Sequence, residues 1–295
     1  MNYDITFLGH MCIDEIVPYG GEPHTAPGSA VLCGAMAAAR AGARVAVDAK
    51  MAEADSSTLD PARDAGADVF IIPAPVTTCN RVVHPTPDVD VREMIMKCDA
   101  GSISLAEVPD IQARFLHLAG ISDREFTLEL IGGLAGRGHS LSTDMQSFVR
   151  QVDTSTRRID FCDVPAKREI VAQMDRLKLD VVEAKLLTGF DDIERAACEI
   201  ESWGCPEIVI TESGGVLARV NGETLFEPFS NRNISGRTGR GDTTFAAYMT
   251  RRLTHSPAPS LKFAAALVSI KMETPGPFCG TLDEVLARMQ CEHGG

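Results

Sequence analysis

Short apolar runs alternate with longer stretches of helical spacing along the whole chain. Runs at 5–8, 44–47, 69–72, 115–118, 140–144, 179–182 and 207–211 have the length and apolar content of buried strands. Between them, 29–41, 123–136, 166–176 and 193–203 carry helical patterns, and the last third reads as helix over 242–252, 260–273 and 281–289. This rhythm predicts βαβ units, a mostly parallel sheet and helices on both of its faces. Strand patterns at 216–220 and 223–226 flank Asn221-Gly222, a strong two-residue hairpin signal, so an antiparallel pair joins late. Two segments, approximately 11–26 and 76–101, break the rhythm with β-branched, Pro and polar residues and no helical spacing. They predict extended strands inserted into a single domain spanning 1–295. Paired with each other, they would form a small sheet over the carboxyl ends of the main strands, where open α/β sheets bind ligands and a lid is useful.

Composition narrows the class. Hydrophobic residues make up 44% of the 295 and charged residues 23%, as in ordinary soluble proteins. The net charge of -13, with no Lys/Arg cluster, argues against nucleic-acid and anionic-membrane partners. It leaves room for a nucleotide, whose phosphates backbone N–H groups can hold. The nine cysteines are scattered without a CxxC pair, which disfavours a disulfide framework or zinc site and predicts buried free thiols in a reducing cytoplasm. Neither a secretory leader nor a run of roughly 18 apolar residues is visible, so a cytoplasmic protein is expected. Strand edges in the small sheet offer a surface for a homodimer.

The chemistry concentrates in Ser235-Gly236-Arg237-Thr238-Gly239-Arg240-Gly241-Asp242-Thr243-Thr244. Three glycines precede a helical pattern, so successive N–H groups and a helix dipole could converge on an anion. Asp242 would stand at the helix start as an N-cap. A capped turn without function has the same composition, and on the residues alone both readings stand.

The stretch Thr238 to Phe245 resembles the C-terminal signature of the ribokinase (PfkB) carbohydrate kinase family, written D-T-x-G-A-G-D-x-F. That resemblance implies a ribokinase-like three-layer α/β sandwich with a mostly parallel central sheet and a small β lid. It also implies an ATP-dependent kinase acting on a hydroxyl of a small polyol, a sugar or cyclitol. ATP and Mg²⁺ are the implied cofactors, with a monovalent cation as a further candidate. Asp242 would be the catalytic base, and the amides of Gly239, Arg240 and Gly241 an anion hole for the transferring phosphoryl group. Gly236 and Arg237 depart from the signature's Asp and Thr, Arg240 replaces Ala, and Phe245 falls one place late.

Other matches follow in order along nearly the whole chain. Residues 5–14, ending in Asp14, are similar to the family's opening strand, whose closing Asp holds substrate hydroxyls. Pro27-Gly28-Ser29 resembles the G-G entry to the first helix, with Gly28 allowing close substrate approach. Leu32 replaces an Asn that often binds a sugar hydroxyl, which disfavours simple ribose and fructose. Asp180-Val181-Val182-Glu183, followed by Leu186-Leu187-Thr188-Gly189, looks like the N-x-x-E element and its L-T-G. It implies Glu183 and Asp180 as groups acting on magnesium, although carboxylates at a helix start need no metal to explain them. Thr211, Gly214 and Gly215 resemble a nucleotide turn with altered spacing. Gln146 and Arg150 end another strand at the same sheet edge, where a surface Arg is the simpler reading. Two rival functions stay open: a nucleoside kinase of the same fold, and a catalytically silent relative with a binding role. Arg240-Gly241-Asp242 also spells a cell-adhesion tripeptide, which would require an exposed loop tip.

Overall fold

The computed structural model describes residues 2–88 and 91–291, without the side chain of Cys291. Residues 89–90 of the second inserted segment lie outside the described residues. The strands are β1 (Asn2–His10), β2 (Ile13–Val17), β3 (His24–Pro27), β4 (Val45–Met51), β5 (Asp68–Pro73), β6 (Cys79–Val83), β7 (Glu93–Cys98), β8 (Gln112–Leu118), β9 (Leu141–Asp144), β10 (Arg150–Val152), β11 (Ile159–Phe161), β12 (Arg176–Asp180), β13 (Glu207–Thr211), β14 (Gly215–Val220) and β15 (Glu223–Pro228). The α-helices are α1 (Ala30–Arg40), α2 (Asp60–Asp64), α3 (Leu128–Gly136), α4 (Gln146–Val149), α5 (Lys167–Val171), α6 (Val181–Thr188), α7 (Ile193–Glu201), α8 (Arg240–Arg252), α9 (Pro257–Met272) and α10 (Leu282–Cys291).

Nine strands form one sheet in the order β15-β14-β13-β12-β9-β8-β1-β4-β5. From β13 to β5 every pairing is parallel, and β14 and β15 add antiparallel at one edge. Strands covered on both faces must be apolar at successive positions, because neighbouring side chains point to opposite sides. In β13, Val209 enters a core shared with α1, α8, α9 and α10, while Ile208 and Ile210 enter a second core with α3, α6 and α7. The result is a three-layer sandwich. The chain leaves β1 in one direction through β4 and β5, then returns to β8 on its other side. That reversal opens a crevice at the carboxyl ends of β1 and β8.

A separate four-stranded sheet has the order β3-β2-β6-β7. Its two halves come from the two inserted segments and meet through the parallel β2–β6 pair; β2–β3 and β6–β7 are antiparallel. The Met96 amide donates to Arg157 O, and Met94 and Met96 pack on Val152 and Ile159, so the small sheet also rests on the β10–β11 hairpin.

The hairpin signal is realised: Asn221 and Gly222 have φ of 48° and 87°, and Val220 pairs with Glu223. Elsewhere the boundaries move. The strand expected at 179–182 is β12, which ends at Asp180 because a capping box starts α6 there: Asp180 Oδ1 accepts from Glu183 N at 2.9 Å, and Glu183 Oε2 accepts from Asp180 N at 2.7 Å. The helix expected over 166–176 is only α5, since Arg176 already belongs to β12. The helix expected from 123 begins at Leu128 behind the Thr127 cap.

Candidate active site

The glycine-rich loop delivers its last residues into the start of α8. Gly239 is the N-cap, with φ 78°, and a Cβ there would stand 2.8 Å from Cys33 Sγ. A Cβ on Gly241 would stand 2.7 Å from Lys178 Nζ, so both glycines let backbone approach buried side chains. The first i→i−4 bond of the helix runs from Thr243 N to Gly239 O at 3.0 Å. The amides of Gly241 and Asp242 precede it and face the space before the helix. Arg240 differs: its amide donates to Arg237 O at 3.1 Å, which turns it away from the proposed anion hole. Asp242 is not the N-cap expected from the sequence but the third residue of the helix, because the helix starts two residues earlier. Its half-buried carboxylate accepts a long 3.4 Å hydrogen bond from Gln146 Nε2. The Arg240-Gly241-Asp242 tripeptide is thus a half-buried first helical turn rather than a loop tip.

Beneath Gly241 lies a buried charge cluster at the ends of β9 and β12. Lys178 Nζ is 2.8 Å from Asp144 Oδ2 and 3.7 Å from Glu183 Oε2, with all three side chains no more than 5% exposed. Burial disfavours the Lys178 ammonium, but Asp144, Glu183, Asp180 and Asp242 outweigh it and hold its pKa above the ordinary lysine value. Burial pushes Asp144 and Glu183 above the carboxylate range, and Lys178 counters only part of that. Glu183 Oε1 is buried without a hydrogen-bond partner, an acceptor open to a ligand or a water. Asp180 is the helix cap, with Oδ1 engaged by Glu183 N. Among the described residues no group of three or more His, Cys, Asp or Glu is arranged to hold a metal. The one orphaned oxygen of Glu183 fits a magnesium ion that keeps most of its waters and is carried by phosphates, not a closed protein cage.

Across the crevice, β2 places Asp14 beside Gly28, where a Cβ would meet Asp14 Oδ2 at 3.1 Å. Asp14 Oδ1 accepts from Cys12 Sγ at 2.9 Å. Burial raises the Asp14 pKa, opposed by hydrogen bonds from Cys12 and Asn80 and by the charge of Arg150. Asn80, on β6, is a further candidate that the sequence pattern does not single out: it donates to Cys12 Sγ at 3.3 Å and keeps a buried Oδ1 without a partner. Its only sequence signal was its place in the second inserted segment. Arg150 is half-buried, its Nε is buried without a partner, and its charge acts on both Asp14 and Glu183. It therefore bridges the two sides of the crevice rather than decorating the surface. Leu32 is 1% exposed and belongs to the core beneath α1, so it presents no pocket wall.

Thr211 ends β13 next to Asp180, on the same sheet edge. Gly214 and Gly215 serve the neighbouring hairpin: Gly214 O accepts from Phe229 N, and a Cβ on Gly215 would fall 2.5 Å from Phe226 Cζ. The cysteines also divide: Cys12, Cys33 and Cys205 are buried, whereas Cys98 and Cys279 are exposed, contrary to a wholly buried set. Among the described residues no helix is long and apolar enough to cross a membrane.

No family model matches the chain. It is 27% identical over 261 residues to a cytidine kinase of Thermococcus kodakarensis, covering 83% of this chain and 87% of that one. A solved pyrophosphate-dependent kinase in the ribokinase family, complexed with a pyrophosphate analog and myo-inositol, is 28% identical, with a TM-score of 0.86 over 96% of this chain and 99% of the other. A sulfate complex of a pyrophosphate-dependent kinase in that family reaches 30% identity and a TM-score of 0.88, with coverage of 96% and 99%. With fold, chain length and sequence shared at that level, this chain is a kinase that belongs to the ribokinase family.

Proposed function

We propose that the chain phosphorylates one hydroxyl of a cyclitol or similar small polyol, with Asp242 as the base and inorganic pyrophosphate as the preferred donor. The observation that carries this reading is the carboxylate of Asp242 in the first turn of α8, flanked by the early helical amides and backed by buried Lys178. Asp14 and Asn80 stand on the acceptor side, each with an oxygen suited to a ring hydroxyl. As the acceptor oxygen bonds to phosphorus, its proton passes to an Asp242 oxygen and the donor's bridging P–O bond breaks. The Gly241 and Asp242 amides hydrogen-bond the transferring group, and Lys178 holds positive potential behind them. Arg150 neutralises the donor from the opposite wall. Magnesium, when bound, supplies charge neutralisation on the donor phosphates, and Glu183 Oε1 would hold one of its waters.

Pyrophosphate is favoured over ATP by the two solved relatives at 28% and 30% identity. The engagement of Gly214 and Gly215 in the β14–β15 hairpin adds support, since it weakens the case for a nucleotide turn. A second reading, a nucleoside acceptor, rests on the cytidine kinase relative. Both are tested by measuring kcat/KM for pyrophosphate and ATP, each with Mg²⁺, against myo-inositol, ribose, fructose, cytidine and adenosine. Myo-inositol with pyrophosphate should lead. Cytidine ahead by more than about tenfold, the worth of one lost hydrogen bond to a buried group, moves the acceptor to nucleosides; the same margin for ATP moves the donor.

A further inference from the structure

Lys271 belongs to no signature that the sequence displays, yet it lies directly beneath the glycine-rich loop. It is 2% exposed, near the end of α9, and its ammonium donates to the carbonyls of both Gly236 and Thr238. The loop is held to the same helix end a second time, because Gly236 N donates to Met272 O at 2.8 Å. A Cβ on Gly236 would collide with Thr274 O, so the backbone lies flat against that end. Burial lowers the Lys271 pKa, while the neighbouring Cys33 and Asp242 oppose that. Those two groups flank the loop, Cys33 beneath Gly239 and Asp242 in the first turn of α8.

A lysine ammonium coordinated by converging backbone carbonyls occupies the place that a dehydrated alkali cation would take. We propose that Lys271 is a built-in monovalent cation that shapes the anion-binding loop, so that turnover needs no added potassium or sodium. The carbonyl cradle does not fit an external cation while this side chain fills it. The consequence follows from the planar trans peptide, in which the C=O of one residue and the N–H of the next point in opposite directions. Thr238 O held towards Lys271 turns the Gly239 N–H the other way, and Gly236 O does the same for the Arg237 N–H. Lys271 is thus a positioning residue, acting through the Gly239 amide and the entry angle of α8. The ammonium also places positive charge near Asp242.

This inference rests on the proposed role of Asp242, and the experiment separates the two. Initial rates with Mg-pyrophosphate and myo-inositol would be compared in potassium, sodium, ammonium and tetramethylammonium chlorides at equal ionic strength. Pyrophosphate binding by calorimetry and the thermal midpoint would be followed in the same salts. The wild type should vary by less than about twofold, whereas Lys271→Met should lose about 10²-fold in kcat, the worth of one preorganised donor, with little change in acceptor KM. Potassium or ammonium should restore part of that loss and raise the midpoint of the variant alone, which a merely structural lysine would not produce. A wild type activated several-fold by potassium overturns the inference even if Lys271→Met fails to fold, and so does a Lys271→Met variant that keeps its rate. Asp242→Asn, assayed in parallel, reports on the underlying reading: if it remains active, that reading fails, whatever the salts show.

Discussion

Replacing Lys178 with Met removes a cation that two buried carboxylates share. At an effective dielectric of about 20, a unit-charge attraction is worth about 6 kcal/mol at the 2.8 Å separation from Asp144 and about 4 kcal/mol at the 3.7 Å separation from Glu183. Desolvation of three charges offsets most of this, so removing the shared partner should cost about 3–5 kcal/mol of stability. The loss has a pH signature. Burial already holds Glu183 and Asp144 above the ordinary carboxylate range, and without the ammonium both rise further. A carboxylate with a raised native pKa takes up its proton before the unfolded chain does, so acid relieves the variant and alkali penalises it. Urea titrations should therefore give a wild-type–variant gap that is larger at about pH 8 than at about pH 5, and the Glu183→Gln change should recover part of the loss. Activity should fall with stability, because Gly241 sits on this ammonium. A gap below about 1 kcal/mol at neutral pH, the scale of an exposed pair, would refute the reasoning.

Three further outcomes follow from the same geometry. Asp242→Asn should lower kcat by about 10²–10⁴-fold while pyrophosphate binding, measured by calorimetry, stays within a few-fold of the wild type; more than about a tenth of the wild-type kcat would exclude base catalysis. Asn80→Ala should raise the acceptor KM about tenfold with kcat nearly unchanged, since it removes a buried acceptor without touching the transfer site; an unchanged KM would take Asn80 out of the acceptor pocket. Asp48 is 1% exposed with neither carboxylate oxygen hydrogen-bonded, and burial pushes its pKa up to about 7. Its native pKa lies above its unfolded value, so stability is lost as pH rises between the two; Asp48→Asn should gain up to about 4 kcal/mol above neutrality and little near pH 4, as read by urea midpoints.

The strands were legible because a sheet covered on both faces needs continuous apolar runs, and the runs at 5–8, 115–118 and 207–211 lie within β1, β8 and β13. The hairpin was legible because Asn-Gly accepts two positive φ angles that most residues resist. The failures occurred where one residue type serves two elements. Val181 and Val182 look like strand, but the Asp180–Glu183 capping box makes them helix, and a local side-chain bond outweighs β-branched propensity there. Arg176 looks like the end of a helix yet enters β12, where its guanidinium stacks 4.1 Å from the Phe115 ring centroid and pairs with Glu207. Both partners are remote in sequence, so no local window contained the information.

The same distinction governs the site. Glycines and carboxylates that begin a helix form a contiguous pattern, and the loop around Asp242 could be read from it. The cations around that pattern come from elsewhere: Lys178 from the middle of a buried strand, Lys271 from the last turn of a helix, Arg150 from the start of a short strand. A net charge of -13 conceals them, because the sum over a chain carries no record of which few charges are buried. A signal did exist in the flanking residues. Lys178 lies between Leu177 and Leu179, both fully buried, and Lys271 follows Val268, Ser269 and Ile270 in a helix apolar almost all round. A lone lysine in such surroundings must find anionic or carbonyl partners or lose its charge. Here the first found Asp144 and Glu183 beneath Gly241, and the second found the carbonyls of Gly236 and Thr238, so both cations lie against the glycine-rich loop and the first turn of α8.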